Sequence, residues 1–280
     1  LMALFLPAFF GMILGDVGYG AILLGASLWL RRRLFRAAAL RDLATVLALG
    51  SAWGILFGFL YGEAFGTLGE TFGLHPIWMD RSDPATVSSL MLFSIGVGVV
   101  HTLLGLILGV WHAVRNRSRH LLLERGGMLV GLIGLLGAAS AVAGLFPRGF
   151  VTPGLSLVIV GVALLGASLG WVGVIAGPIE FLGLIGNVLS YLRLAAIGLA
   201  SVYLARVAND LAGSLGSAML GVLVAVLIHA LNLAMGAFSP GIHSLRLHYV
   251  EFFRKFYEGG GRPYQPFRLG ASAQEARHSG

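Results

Sequence analysis

The sequence predicts an all-α, polytopic membrane protein of about eight transmembrane helices, the last two long and strongly tilted. Three observations predict it. The chain is 57% hydrophobic and only 11% charged, with a mean hydropathy of +0.88, far more apolar than a soluble domain. It carries 42 glycines in 280 residues. Its apolar stretches exceed the roughly 20 residues needed to cross a hydrocarbon core about 30 Å thick, and short polar connections separate them.

Taken in order, the runs lie at 2–30, 43–62, 87–113, 122–146, 154–176, 178–212 and 216–255. The connections 31–41 (RRRLFRAAALR) and 115–125 (RNRSRHLLLER) are basic, whereas 63–86 is long, mixed in charge and contains Pro76 and Pro84. Basic loops stay on the cytoplasmic side, so both of these and the tail after Arg254 are assigned there and 63–86 outside. One helix over 2–30 would then start on the wrong side. GMILGDVGYG, with four glycines and Asp16 in mid-run, offers either a hairpin (1–15 up, 17–31 back) or one kinked helix. The hairpin gives eight segments and a cytoplasmic C-terminus in the cell membrane. Glycines at helical spacing, as in GVALLGASLGWVGVIAG (161–177) and GLIGLLG (131–137), are assigned to close helix packing.

Composition also excludes function classes. A net charge of +7 suggests nucleic acid, but the basic residues cluster between membrane runs, so no nucleic-acid partner is expected. Cysteine is absent, which removes disulfides and thiolate metal sites. No H-E-x-x-H or comparable signature occurs, so neither an enzyme site nor a metal or other cofactor is expected. The chain opens LMALFLPAFFG without an initiator Met or a basic stretch, unlike a signal peptide, and a preceding part is expected to be missing. Residues 1–268 are read as one membrane-embedded domain and 269–280 as a disordered tail.

The intramembrane charges carry the functional signal. Arg193 lies near the middle of 178–212, whose start is set at Pro178, a good first-turn residue. A central Arg costs about 2.5–3.5 kcal/mol and cannot shed its proton, so it must face a carboxylate, backbone carbonyls or water. The plainer alternative is a buried ion pair that pins packing. Glu180, Asn187 and Ser190 share one arc of the same helix, roughly 60° short of Arg193, as if lining a wet passage. In the last run His229, Asn232, Gly236, Ser239, His243 and Arg246 recur at spacings of 3 and 4, which makes one polar stripe, with Pro240 expected to kink it. His101 is open between an external passage and a helix-to-helix hydrogen bond. His112, Arg115, His120 and Glu124 are read as interfacial and solvated rather than as a vestibule, and Asp80, Arg81 and Asp83 as plain surface loop rather than a proton antenna.

FFGMILGDVGYG, LFGFLYGEAFG, GPIEFLGLIGNVLSYLRLAAIGLA and HSLRLHYVEFFRKFYEGGGRPYQPF together resemble the membrane domain of the large stator subunit of V/A-type rotary ATPases, called subunit I in bacteria and archaea and subunit a in eukaryotes. The resemblance runs from about residue 5 to 267. It implies a non-catalytic, proton-translocating part with two offset aqueous half-channels, eight membrane helices, and two long tilted helices against a proteolipid rotor ring. The other implied partners are membrane lipid and the central-stalk adaptor and peripheral-stalk subunits, with an N-terminal cytoplasmic stalk-binding domain absent here. By the same resemblance Arg193 and Arg246 match the two arginines, Glu180 the acid of the cytoplasmic half-channel, and Asp16 and Glu63 acids of the external one. The chain departs in having Ser201 where eukaryotic members have a His after the YLRL motif, Gly236 where they have an acid, and His243 where some relatives have other polar residues. A self-contained proton-coupled secondary transporter is the alternative, but the inverted repeats it requires are not evident.

Overall fold

A computed structural model describes residues 2–33 and 37–257. The PYQPF motif at 263–267 and the tail at 269–280 lie outside the described residues. The fold is a run of helices: α1 (Met2–Leu14), α2 (Val17–Arg33), α3 (Ala38–Tyr61), the short α4 (Leu68–Thr71), α5 (Val87–Arg115), α6 (Arg119–Val142), α7 (Val151–Ser168), α8 (Gly173–Leu189), α9 (Leu192–Ser214) and α10 (Ala218–Arg246). A π-helical turn (Leu247–Phe252) and a 3₁₀ turn (Phe253–Lys255) prolong α10. Among the described residues no strand occurs.

Among the described residues six stretches are long and apolar enough to cross a membrane: Ala38–Tyr61, Pro84–Arg115, Arg119–Val142, Arg148–Ser168, Gly170–Ser214 and Ala218–Lys255. The two helices beyond these six in an expected count of about eight are shorter, α1 with 13 residues and α2 with 17, the last three of them Arg31, Arg32 and Arg33. The chain does break where GMILGDVGYG suggested. Gly15, at φ +43°, turns it out of α1, and Asp16 starts α2. Phe10 packs on Gly50 and Leu14 on Gly54, so α1 runs parallel to α3; Val17 meets Gly58 and Gly20 meets Ile55, so α2 runs back antiparallel. The first run is a hairpin splayed across α3.

Two further expectations shift. Helix α8 begins at Gly173 rather than Pro178, because Gly170 (φ +65°) turns the chain and the helix restarts at once, which leaves Pro178 inside it. The run 178–212 is also interrupted. Ser190 Oγ donates back to the Gly186 carbonyl at 3.0 Å, a bond that bends helices, and the chain passes through Tyr191 before α9 resumes. Pro240 lies within the continuous α10.

Packing separates two halves. Gly127, Gly134, Gly154 and Gly161 bring the backbones of α6 and α7 together so closely that a Cβ at Gly161 would lie 2.5 Å from the Gly131 nitrogen. Beside them Leu106, Met128, Leu132, Leu165, Phe181, Leu184 and Val188 form a core shared by α5–α8. In the other half α1 is the central helix, where Phe9 and Ile13 pack with Tyr191, Leu194 and Leu247. A row of α10 side chains, among them Val222, Val226, Leu231, Met235, Phe238, Ile242 and Leu245, faces outward.

Candidate proton-path site

Arg193 stands in the first turn of α9, its side chain only 17% exposed. Its Nη2 lies 3.8 Å from Glu251 Oε1, in ion-pair range but too long for a hydrogen bond, and Glu251 is 2% exposed. Arg193 Nη1 and Glu251 Oε2 are buried without partners, as are His243 Nδ1, Ser244 Oγ and both ring nitrogens of His248. Arg246, one turn of α10 before Glu251, is exposed beside the outward apolar row. The structure therefore brings Arg193 and Arg246 to one carboxylate, Glu251, that the sequence reading did not single out, with His243 beside the two arginines. An α-helix advances about 100° per residue, which would place Glu251 some 140° away from Arg246, on another face. The π turn removes much of that offset.

On one side of this cluster a cleft of about 310 Å³ is lined by Glu124, Arg125, Glu180, Asn187, Arg254 and Lys255, among others. Glu180 Oε2 is buried there without a partner. Glu124 bonds Arg125 at 3.2 Å and approaches His120 at 3.8 Å. Glu124, expected to be interfacial and solvated, lines this cleft together with Glu180. Ser190, also of the predicted arc, donates to the Gly186 carbonyl at 3.0 Å and lies beside Glu251.

On the other side a hydrogen-bonded seam joins α2, α9 and α10. Ser201 Oγ donates to Asn232 Oδ1 (2.9 Å), Asn232 Nδ2 donates to the Tyr19 hydroxyl (3.2 Å), and that hydroxyl lies 2.6 Å from His229 Nδ1. His229 Nε2 is 2.9 Å from Asn209 Oδ1, whose amide in turn donates to the Phe65 carbonyl and Thr67 Oγ1. Since Asn209 spends its NH₂ group on the loop, the donors are consistent when His229 carries its proton on Nε2. His229 and Asn232 belong to the predicted stripe. Tyr19, Ser201 and Asn209 could not be read from sequence, since each lies on a different helix face or element. Next to the seam a narrow, mostly apolar gap of about 20 Å³ is lined by Ile13, Leu14, Ile197, Met235, Gly236 and Pro240, with Ser201, Asn232 and Ser239 as its polar members.

Asp16 and Glu63 sit where the seam meets the Phe65 loop, both in closed environments. Asp16 caps α2 by accepting the Tyr19 amide at 2.8 Å, and it also accepts the amides of Phe65 (3.0 Å) and Gly66 (2.8 Å) from the YGEAFG loop. Glu63 takes Arg81 Nε at 2.8 Å and Nη2 at 2.5 Å. Arg81 is no surface residue, contrary to expectation. It is 1% exposed, lies 4.2 Å above the Tyr61 ring and reaches the carbonyl of Gly15 at 2.7 Å, with Met12 and Ile13 at 3.3 and 3.4 Å. Burial opposes its charge, but Glu63 outweighs that and holds the guanidinium above its ordinary pKa. It thus supplies a cation where the end of α1 presents unpaired carbonyls.

His101 lines neither the cleft nor the gap. It is fully buried, 2.5 Å from the Tyr191 hydroxyl through Nδ1, stacked on Phe252 at 4.1 Å and near His248 at 5.5 Å. That is a helix-to-helix contact on the Glu251 side of the molecule. Asp80 and Asp83 are used locally, bonding Ser82 and the start of the turn before α5.

The helices that carry this geometry, α8 to α10, lie within the part matched by a family model. Residues 172–269 match the V-type ATPase 116kDa subunit family. The similarity also extends along nearly the whole chain. It is 33% identical to "A-type ATP synthase subunit I" of Archaeoglobus fulgidus across 95% of this chain and 48% of that protein. The chain belongs to the V/A-type ATPase subunit I family. A second archaeal member, from Methanocaldococcus jannaschii, is 31% identical over 93% of this chain and 43% of its own length. A "V-type ATP synthase subunit I" of Chlamydia pneumoniae is 34% identical over 36% of the chain. The chain spans about half the length of the archaeal family members it matches.

Proposed function

We propose that this chain is the proton-conducting stator part of a rotary ATPase, a non-catalytic membrane piece that feeds protons to and from a rotating ring of carboxylates. The observation that carries this reading is Arg193, a permanent cation with an unengaged Nη1, flanked by the polar cleft at Glu180 and Asn187 and, along α9 and α10, by the hydrogen-bonded seam of Ser201, Asn232, Tyr19, His229 and Asn209. Both arms of the outward face fit a ring partner: apolar side chains along α10, and Arg246 exposed among them.

In this reading the cleft at Glu180, Asn187 and Glu124 is the cytoplasmic half-channel, and the seam from Asn209 to Ser201 leads in from outside. Tyr19 and His229 are members able to pass a proton, because hydroxyl and imidazole both donate and accept. Glu63 has both oxygens held by Arg81 and serves to fix the outer loop, while Asp16 anchors the same loop and lends negative charge to the entrance. A rotor carboxyl in lipid is neutral because desolvation raises its pKa; opposite Arg193 its charged form is favoured, so it releases its proton there. It is neutralised again from the other inlet before it re-enters lipid. The two arginines repel a hydrated proton and keep the inlets from short-circuiting. The hairpin α1–α2 completes eight membrane segments, α9 and α10 lie tilted along the ring, and the C-terminus is cytoplasmic. Arg193→Ala in the full complex, reconstituted in liposomes, tests the reading: ATP-driven proton uptake should stop while the complex still assembles. Undiminished uptake rules it out.

A further inference from the structure

The molecule holds two buried Arg–Glu contacts of opposite character. Arg81 and Glu63 are locked by two bonds of 2.8 and 2.5 Å, the short forked geometry of a permanent pair. Arg193 and Glu251 stand 3.8 Å apart, each with an atom that bonds nothing. Among the described residues Glu251 is the one acid within 4.0 Å of Arg193. A guanidinium that cannot deprotonate still needs a neighbouring anion when mostly removed from water. An open pair supplies that charge without occupying the fork.

We propose that Glu251 is the resident counter-ion of Arg193, a positioning residue that holds the arginine between encounters and moderates its field so that an arriving carboxylate binds and leaves. The inference rests on the stator reading above and adds a residue and a role to it.

Its placement supports this. Glu251 lies on the π turn at the end of α10, and such turns insert one extra residue at some structural cost and recur at functional positions. Without the extra residue its side chain would swing away from the side that carries Arg246. The groups facing it are Arg193 from α9, Ser190 and Tyr191 from the α8–α9 link and Arg246 from α10, with His243 beside the two arginines. Behind them stand His101 of α5, bonded to Tyr191, and the rings of Phe5 and Phe9 from α1. Two permanent cations therefore share one carboxylate. With Glu251 neutral, both would act undiluted on a rotor carboxyl, stabilise its anion and delay its reprotonation.

The test is the pH profile of ATP-driven proton pumping by the whole complex in liposomes. Glu251→Gln should move the alkaline limb to lower pH by about one unit, because the rotor carboxyl then needs more acid to be neutralised. Glu251→Asp, which keeps the charge but withdraws it, should move the limb in the same direction by less. An unmoved profile for Glu251→Gln at the wild-type rate overturns the proposal. So does loss of pumping at every pH in an assembled complex that Glu251→Asp does not restore. Should Glu251→Gln fail to assemble, the Glu251→Asp profile decides, and no displacement counts against the idea. Arg193→Ala separates the two readings: pumping by that variant sinks the stator reading itself, whereas its arrest beside an unmoved Glu251→Gln profile sinks only the counter-ion role.

Discussion

Arg81 and Glu63 form a buried two-pronged ion pair that closes the C-terminal end of α1, with the guanidinium also seated over Tyr61 and against the carbonyls of Met12, Ile13 and Gly15. One side chain thus ties the 63–86 loop to α1 and α3. It also lies against α9, where a Cβ on Gly198 would stand 2.8 Å from Nη1. Arg81→Met leaves Glu63 unpaired and the α1 carbonyls without a cation, a change worth about 3–5 kcal/mol. The expected outcome is a clear drop in the thermal midpoint of the purified protein in detergent. A midpoint within error of wild type would show that the pair holds nothing together.

Asp16 is expected to act first as an anchor. Asp16→Ala removes the N-cap of α2 and orphans the amides of Phe65 and Gly66, for a loss of roughly 1–3 kcal/mol. Hydrogen exchange should quicken at Tyr19, Phe65 and Gly66 while the amides of α6 and α7 keep their protection. Uniform acceleration, or none, would contradict the local role.

Tyr19 joins two helices through one hydroxyl. Tyr19→Phe keeps the ring against Phe65 but leaves His229 Nδ1 without a partner and takes one acceptor from Asn232. About 1–3 kcal/mol of stability should be lost per orphaned group. Proton uptake by the reconstituted complex should fall several-fold, and a wild-type rate would remove Tyr19 from the external path.

Glu180 gives the cleft an unpartnered carboxyl among three cations. Glu180→Gln should leave assembly intact and lower proton uptake by about tenfold, since the acid concentrates protons at the mouth of the path. Equal rates for wild type and variant at low buffer concentration would refute this.

The α6–α7 contact is backbone against backbone. Gly161→Val would drive a side chain into Gly131 and Gly127 and should destabilise the protein by about 1–3 kcal/mol, read as a lower thermal midpoint. Gly137, with open space around its Cβ position, should accept Ala without loss.

Much of this was legible along the chain. Apolar run length gave the helices, because water-free lipid forces backbone groups to bond within a segment. Gly15 and Asp16 marked the reversal between α1 and α2, since a left-handed glycine followed by a capping acid cannot continue a helix. Arg193 was readable from burial alone, as an ion that no apolar run tolerates without purpose. Glu180 and Asn187 were placed on one face by helical periodicity, which held as far as the break at Ser190.

The partners of those charges were decided only by the tertiary structure. Arg81 looked like loop surface because nothing local distinguishes a buried arginine from a solvated one; its anion is 18 positions away and its carbonyls nearly 70. Glu251 was hidden by a π turn that breaks the 100° rule on which face assignments rest. The seam from Ser201 to Asn209 joins residues up to 213 positions apart through single hydroxyl and amide groups. Sequence fixes which groups must be satisfied, through the energy of removing them from water, whereas the packing of distant helices chooses what satisfies them.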